Sequence, residues 1–282
     1  MFVTRLISGI VLLIIAFGAF TLGAPVLTVL LAVISVIGYR ELTKVLGVSG
    51  AVKENGKVGI SPQEWIGSSG ILAYYGVLLA SHLGVLPEEP FVWLMACLVF
   101  TLLAELFCYV IAFPKYSAEQ TGFAAFAFLY APVMLSFIDL TRQGPDGKLL
   151  VWMILICSWG CDTCAYAVGI LIGKKKIFPV LSPKKSLEGC IGGVLGAAAL
   201  GALYAGFVME RDLTEVGILA VVCAFGAVAS MVGDLAASAI KRNKHIKDYG
   251  RLIPGHGGIM DRFDSVIVTA PMVYFLTALL LH

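Results

Sequence analysis

Charge is what this 282-residue sequence has least of. Asp, Glu, Lys and Arg together make up 13% of it, against about 25% in an average soluble domain. A soluble fold cannot hydrate its surface on so little, so an ordinary globular domain is excluded, and no nucleic-acid partner is expected. A disulfide framework is missing as well. The seven cysteines are odd in number and most lie inside apolar runs, where cysteine behaves as a small hydrophobe. Cys161-x-x-Cys164 has the spacing of a redox pair, but it sits mid-run beside Asp162 and reads as a small-residue contact between helices. There is no repeat of fixed period and no Ser-His-Asp style triad.

Apolar residues are in excess, at 59% of the chain. A bilayer is the solvent that suits such surface, and the 31 glycines agree, since glycine is commoner in membrane helices than in soluble ones. A spanning helix needs roughly 20 mainly apolar residues. Nine runs qualify, near 3–22, 26–46, 65–84, 91–113, 120–140, 150–172, 189–209, 215–240 and 264–281. The breaks between them carry Pro, Gly or charge, as in Gly23-Ala24-Pro25, Pro87-Glu88-Glu89-Pro90 and Gly144-Pro145-Asp146-Gly147. The expected fold is therefore an all-α, polytopic bundle of about nine transmembrane helices. It divides into an N-terminal region of about five spans, 1–150, and a C-terminal region of about four, 151–282. The opening, Met1–Arg5 followed by Leu6–Phe20, has the outline of a signal peptide. A second apolar run follows at once across Pro25, which favours a retained helix.

Nine spans put alternate loops on opposite sides. Arg142, Lys148 and Arg211 then fall on one side and the other seventeen of the 20 basic residues on the opposite one. Cytoplasmic loops carry the Lys/Arg excess, so the N-terminus is expected inside, in a cell membrane. Two cytoplasmic loops stand out, 173–187 and 241–263. The second is long for a structureless connection, a length usually kept for function.

Three acidic residues interrupt the spans: Glu105, Asp162 and Asp234. Such residues are costly at the bilayer centre, face the protein interior and mark function by default. For Glu105 a polar bond between helices is an equal reading. Asp234 precedes Lys241 by seven residues, about 10 Å of helix, so it can line a cavity open to the cytoplasm. Beyond it come Ser238, Lys241, Arg242, Lys247 and Asp248. Then follows the turn Pro254-Gly255-His256-Gly257-Gly258, with Asp261, Arg262 and Asp264 after it. Asp261 and Asp264 are three apart, on one face of a starting helix. With Asp234 they make an all-oxygen set of the kind Mg²⁺ uses together with substrate phosphates. The glycines let backbone N–H groups approach an anion, and Lys241, Arg242, Lys247, Arg251 and Arg262 bring phosphate-binding charge. A positive-inside bias explains the basic residues alone, but not carboxylates and a Gly-rich turn among them. The loop before repeats the chemistry: Asp162, then Ser182-Pro183-Lys184-Lys185-Ser186, then Glu188-Gly189 and Gly192-Gly193. These glycines also suit close helix packing.

The stretch from Ser238 through Lys241-Arg242, Lys247-Asp248 and His256-Gly257-Gly258 to Asp261-Arg262-x-Asp264 resembles the C-terminal signature of the phosphatidate cytidylyltransferase (CDP-diacylglycerol synthase) family. The segments Asp162-x-x-Ala165-Tyr166 and Ser182-Pro183-Lys184 to Glu188-Gly189 resemble its upstream motifs, although Ser186 and Leu187 replace an expected Thr and aromatic. The resemblance covers roughly 160–270.

It implies an enzyme of phospholipid biosynthesis that uses CTP and phosphatidic acid to make CDP-diacylglycerol and pyrophosphate. Mg²⁺ would be held by Asp234, Asp261 and Asp264, with room for a second cation. Those residues, Lys241 and His256 are the expected catalytic group. Asp162, Ser182, Lys184, Arg242, Lys247, Asp248, Gly257, Gly258 and Arg262 are the expected substrate contacts. A homodimer among membrane lipids is the expected assembly. Other readings are a transporter, which also carries intramembrane carboxylates, and a CTP-dependent lipid kinase. The Asp-Gly-x-x-Ala-Arg string of CDP-alcohol phosphotransferases is absent.

Overall fold

A computed structural model describes residues 2–50, 59–86, 90–255 and 257–281. Residues 51–58, the expected break at 87–89 and His256 lie outside the described residues. Every long element is a helix. In chain order they are α1 (Phe2–Leu22), α2 (Ala24–Leu46), α3 (Pro62–His82), α4 (Phe91–Ile111), α5 (Ala118–Gln143), α6 (Gly147–Ile172), α7 (Leu187–Phe207), α8 (Leu213–Asn243) and α9 (Met260–Leu280). They fall on the nine apolar runs. All but α1 and α3 are long and apolar enough to cross a membrane, seven in all among the described residues. α1 carries a shorter apolar stretch, Gly9–Leu22, while α3 opens with Gln63 and Glu64 and is more polar. The chain is an all-α, multi-pass membrane protein.

Local chemistry sets the ends. Ser61 and Glu64 cap each other's backbone N–H at the start of α3, where Pro62 fits the first turn. Ser117 and Gln120 do the same for α5. The Ser186 hydroxyl accepts from Gly189 N at 3.2 Å to open α7, and Asp212 accepts from Glu215 N at 2.8 Å to open α8. Two helices carry a π-helical stretch, Leu129–Val133 and Ile156–Gly160. The first holds Pro132, which has no N–H to give the helix.

The chain forms two compact units: residues 1–136 with 248–261, and residues 137–247 with 262–282. In the first, polar groups bond between helices. Ser35 donates to Tyr75 Oη at 2.9 Å, Tyr75 donates to the Pro132 carbonyl at 2.9 Å, and Gln63 Nε2 donates to Thr121 at 2.8 Å. Inside lipid such groups must find protein partners. α4 turns Phe100, Leu103, Phe107 and Val110 outward, each more than half exposed, the surface a bilayer covers.

In the second unit α7 packs through small residues. A side chain at Gly192 would strike Val168, and one at Gly196 would strike Cys164. Cys161 is fully buried and Gly193 lies against it. The expected role of Cys161 and Cys164 as a small-residue helix contact is therefore what the structure shows. The seven cysteines are free thiols.

Candidate functional site

The second unit brings most of the expected residues together. The loop after α6 folds back on itself. Glu188, in the first turn of α7, accepts from the backbone N–H of Lys174 and Lys175 at 3.0 and 3.2 Å. Lys176 Nζ donates to the Lys184 carbonyl at 3.0 Å. Glu188 and Ser186 thus serve the shape of the loop, and Ser186, standing where an expected threonine would, is buried and keeps the hydroxyl that caps α7. The loop walls a cavity of about 530 Å³ whose lining includes Asp162, Tyr166, Lys176, Ser182, Lys184 and Lys185. It is amphipathic, with lysines and hydroxyls facing Ala165, Ile170 and Met231.

Lys185 leaves this wall to form an ion pair with Asp234 of α8, Nζ to Oδ2 at 2.5 Å. Asp162 lies within electrostatic reach of Lys185, Asp234 and Arg262. Asp264 of α9 lies within reach of Asp234, Lys241 and Arg262. The meeting of α8 and α9 depends on Gly233, because a Cβ there would come 2.5 Å from the Asp264 carbonyl oxygen. Asp264 is buried, and its Oδ1 accepts from Ser265 N at 2.8 Å. Arg262 Nε is buried without a hydrogen-bond partner among the described residues, an N–H that an anion would satisfy. Lys241 is half-buried at the end of α8, and Arg242 and Lys247 are exposed.

In the first unit the Gly-rich turn closes on itself. Ile253 N donates to the Gly257 carbonyl at 2.9 Å. Gly255 and Gly257 have φ of 78° and 86°, left-handed values that favour glycine. Asp261 is buried, and its Oδ2 accepts from Tyr249 N at 2.8 Å and Gly258 N at 3.0 Å. That oxygen holds the turn together. Asp248 is exposed at the start of this segment. Glu105 also belongs to the first unit. It is 1% exposed, and neither carboxylate oxygen has a hydrogen-bond partner among the described residues, so the polar helix bond that was its alternative reading is not seen.

Sequence reasoning gave the substrate contact to Lys184 and read Lys185 only as part of the loop motif, although Lys185 is the lysine that reaches an aspartate. Its signal was hidden in a run of like charges. Sequence reasoning passed over Glu41 of α2, which accepts from Met260 N at 3.0 Å. Among the described residues no three His, Cys, Asp or Glu side chains already stand as a metal cluster. The donor chemistry nevertheless fits a hard divalent cation. Asp234 and Asp264 are carboxylates of one unit, close enough to feel each other's charge, and Asp234 already draws an ammonium to itself.

Carboxylates, lysines and an arginine gather beside the apolar helices of a membrane protein. The comparison with known families is more specific. The model of the cytidylyltransferase family matches residues 3–280, and the chain belongs to that family. It is 32% identical over 214 residues to the phosphatidate cytidylyltransferase of Bacillus subtilis (strain 168), covering 76% of this chain and 78% of that one. It is 27% identical over 278 residues to the enzyme of the same name from Staphylococcus aureus (strain COL), covering 96% and 97%. A third, from Synechocystis sp., is 39% identical over 137 residues, 49% of this chain and 46% of its own.

Proposed function

We propose that this chain transfers CMP from CTP to phosphatidic acid, giving CDP-diacylglycerol and pyrophosphate. A monoester oxygen of the lipid phosphate attacks the α-phosphorus of CTP. The bond from that phosphorus to the bridging oxygen breaks, and pyrophosphate leaves with the electron pair. The nucleophile is anionic near neutral pH, so no general base is needed. The barrier is the repulsion between two polyanions, and catalysis is mainly positioning and charge neutralisation.

The observation that carries this reading is the convergence of Asp162, Lys185, Asp234, Lys241, Arg262 and Asp264 within one unit of a chain matched end to end by the family. Asp234 and Asp264 would hold Mg²⁺, with room for a second cation, and the family resemblance adds Asp261 to them. The ion would supply positive charge to offset that of the phosphates. Lys241, Arg242, Lys247 and Arg262 bind phosphate oxygens, and the orphaned Nε of Arg262 supports that role. Lys185 holds Asp234 in place. Asp162, Ser182 and Lys184 line the cavity that receives substrate. Gly257 and Gly258 keep the phosphate-binding turn in shape, with Asp248 at its entry, and the family resemblance adds His256 to the catalytic group.

The same reading places the site on the cytoplasmic side of the cell membrane, with the N-terminus inside. The seventeen-to-three division of basic residues supports that side, where CTP is found. A homodimer belongs to the reading through the family resemblance alone. The test is incubation of purified protein with CTP, phosphatidic acid and Mg²⁺ in detergent, with no gradient present. CDP-diacylglycerol and pyrophosphate in equal amounts support the reading. Their absence, with folded protein, refutes it.

A further inference from the structure

We propose that Glu41 is a positioning residue for the reaction: a carboxylate from the second helix that fixes the backbone where α9 begins and so aims Asp261. The proposal rests on the cytidylyltransfer reading above.

The evidence lies within the first unit. Residues 248–261 are counted there with the N-terminal helices, so the turn takes part of its shape from α2. The Glu41 carboxylate accepts hydrogen bonds from the backbone N–H of Met260, at 3.0 Å, and of Ile259. A helix start leaves its first N–H groups without intrahelical partners. An anion there also complements the helix dipole. Helices commonly satisfy these groups with the side chain of their own N-cap. α9 takes its carboxylate from a residue 219 positions away.

The fit is close on three sides. A Cβ at Gly258 would strike both Glu41 carboxylate oxygens, and one at Gly250 would strike Oε1. One turn before it on α2, Gly38 would meet Met260 Sδ at 3.2 Å if it carried a Cβ. Glu41 thus sits in a slot of bare backbone. Asp261 completes the arrangement from the other side by accepting from Tyr249 N and Gly258 N. The two carboxylates between them bind the N–H groups of residues 249, 258, 259 and 260.

Glu41 and Asp261 stand within electrostatic reach of each other. Both are tied to donors, and their joint effect is a turn with one geometry. The consequence is that the Asp261 side chain cannot swing freely. An aspartate meant to meet a cation and a triphosphate needs that restraint, because small misplacements in a site carry large kinetic penalties.

The test uses the full-length protein in detergent with three variants, Glu41→Gln, Glu41→Ala and Gly258→Ala, and the double variant Glu41→Ala/Gly258→Ala. Folded protein is measured by monodisperse elution and thermal midpoint. kcat, KM for phosphatidic acid and the Mg²⁺ concentration at half-maximal rate are measured on the folded fraction. Glu41→Gln keeps the size and one acceptor but loses the charge. It is expected to fold as the native chain does, with kcat lowered about tenfold, KM for phosphatidic acid unchanged and the Mg²⁺ requirement raised. Glu41→Ala is expected to lose about a hundredfold in kcat. Gly258→Ala alone should be at least as damaging. In the Glu41→Ala background it should add little, because the atoms it collides with are gone.

Native kcat and native Mg²⁺ dependence in Glu41→Gln and Glu41→Ala would overturn the proposal. So would full additivity in the double variant. If Glu41→Ala does not fold, the decision passes to Glu41→Gln. An inactive native chain would instead sink the cytidylyltransfer reading, which separates the two failures.

Discussion

Lys185 Nζ lies 2.5 Å from Asp234 Oδ2, tying the loop that follows α6 to the interior of α8. The pair is partly open, with side-chain exposures of 21% and 29%. A charge in an apolar span is costly alone, and this lysine lowers that cost.

Removing the partner should show this. Lys185→Met keeps the stem and drops the charge. We expect kcat to fall about a hundredfold, with Lys185→Arg recovering part of it. Steady-state rates at saturating CTP and phosphatidic acid check the outcome, and unaltered kcat in the methionine variant would remove Lys185 from the site.

Asp264 is buried beside the backbone of Ser265, within electrostatic reach of Asp234, Lys241 and Arg262. Asp264→Asn and Asp234→Asn should each leave a folded, membrane-inserted protein with turnover lost and no recovery by added Mg²⁺. Isothermal titration with Mg²⁺ alone should show weaker binding in both. Asp261→Asn should also abolish turnover with the fold retained, since an amide oxygen can still accept from Tyr249 and Gly258.

Two glycines should respond with opposite sign. Gly257 has φ of 86°, and a Cβ there would lie 2.7 Å from Asp261 Oδ2. Gly257→Ala should cost about 1–2 kcal/mol of stability from backbone conformation alone and most of the activity. Gly217, inside α8, has open space around its Cβ position. Gly217→Ala should stabilise by about 0.5–1 kcal/mol with activity unchanged. Thermal midpoints in one detergent compare them.

Small residues set how closely α6 and α7 approach. Gly196→Leu, aimed at Cys164, should lower the thermal midpoint and the yield of folded protein. Gly122→Leu, a position with nothing near it, should not.

The helices were legible because nothing but a bilayer accommodates nine apolar runs, and their ends carried Pro, Gly or charge. Asp162, Asp234 and Asp264 were legible as acids in or beside apolar helices. Lys185 was not, because its loop holds several lysines and the inside-positive bias accounts for any of them. Glu41 was hidden for another reason. On α2 it is an ordinary polar residue near a helix end, and its partners at 250 and 258–260 are a long-range matter that no local pattern encodes. The grouping of 248–261 with the N-terminal helices escaped the sequence for the same cause. The π-helical stretches at 129–133 and 156–160 leave no trace in apolar periodicity.

The most direct test follows the phosphorus. Purified protein is given phosphatidic acid, Mg²⁺ and CTP labelled either at the α- or at the γ-phosphate, beside the Asp264→Asn variant. CMP transfer moves the α label into lipid and the γ label into pyrophosphate, with neither transfer in the variant. Lipid carrying the γ label, or equal transfer by the variant, would contradict the account.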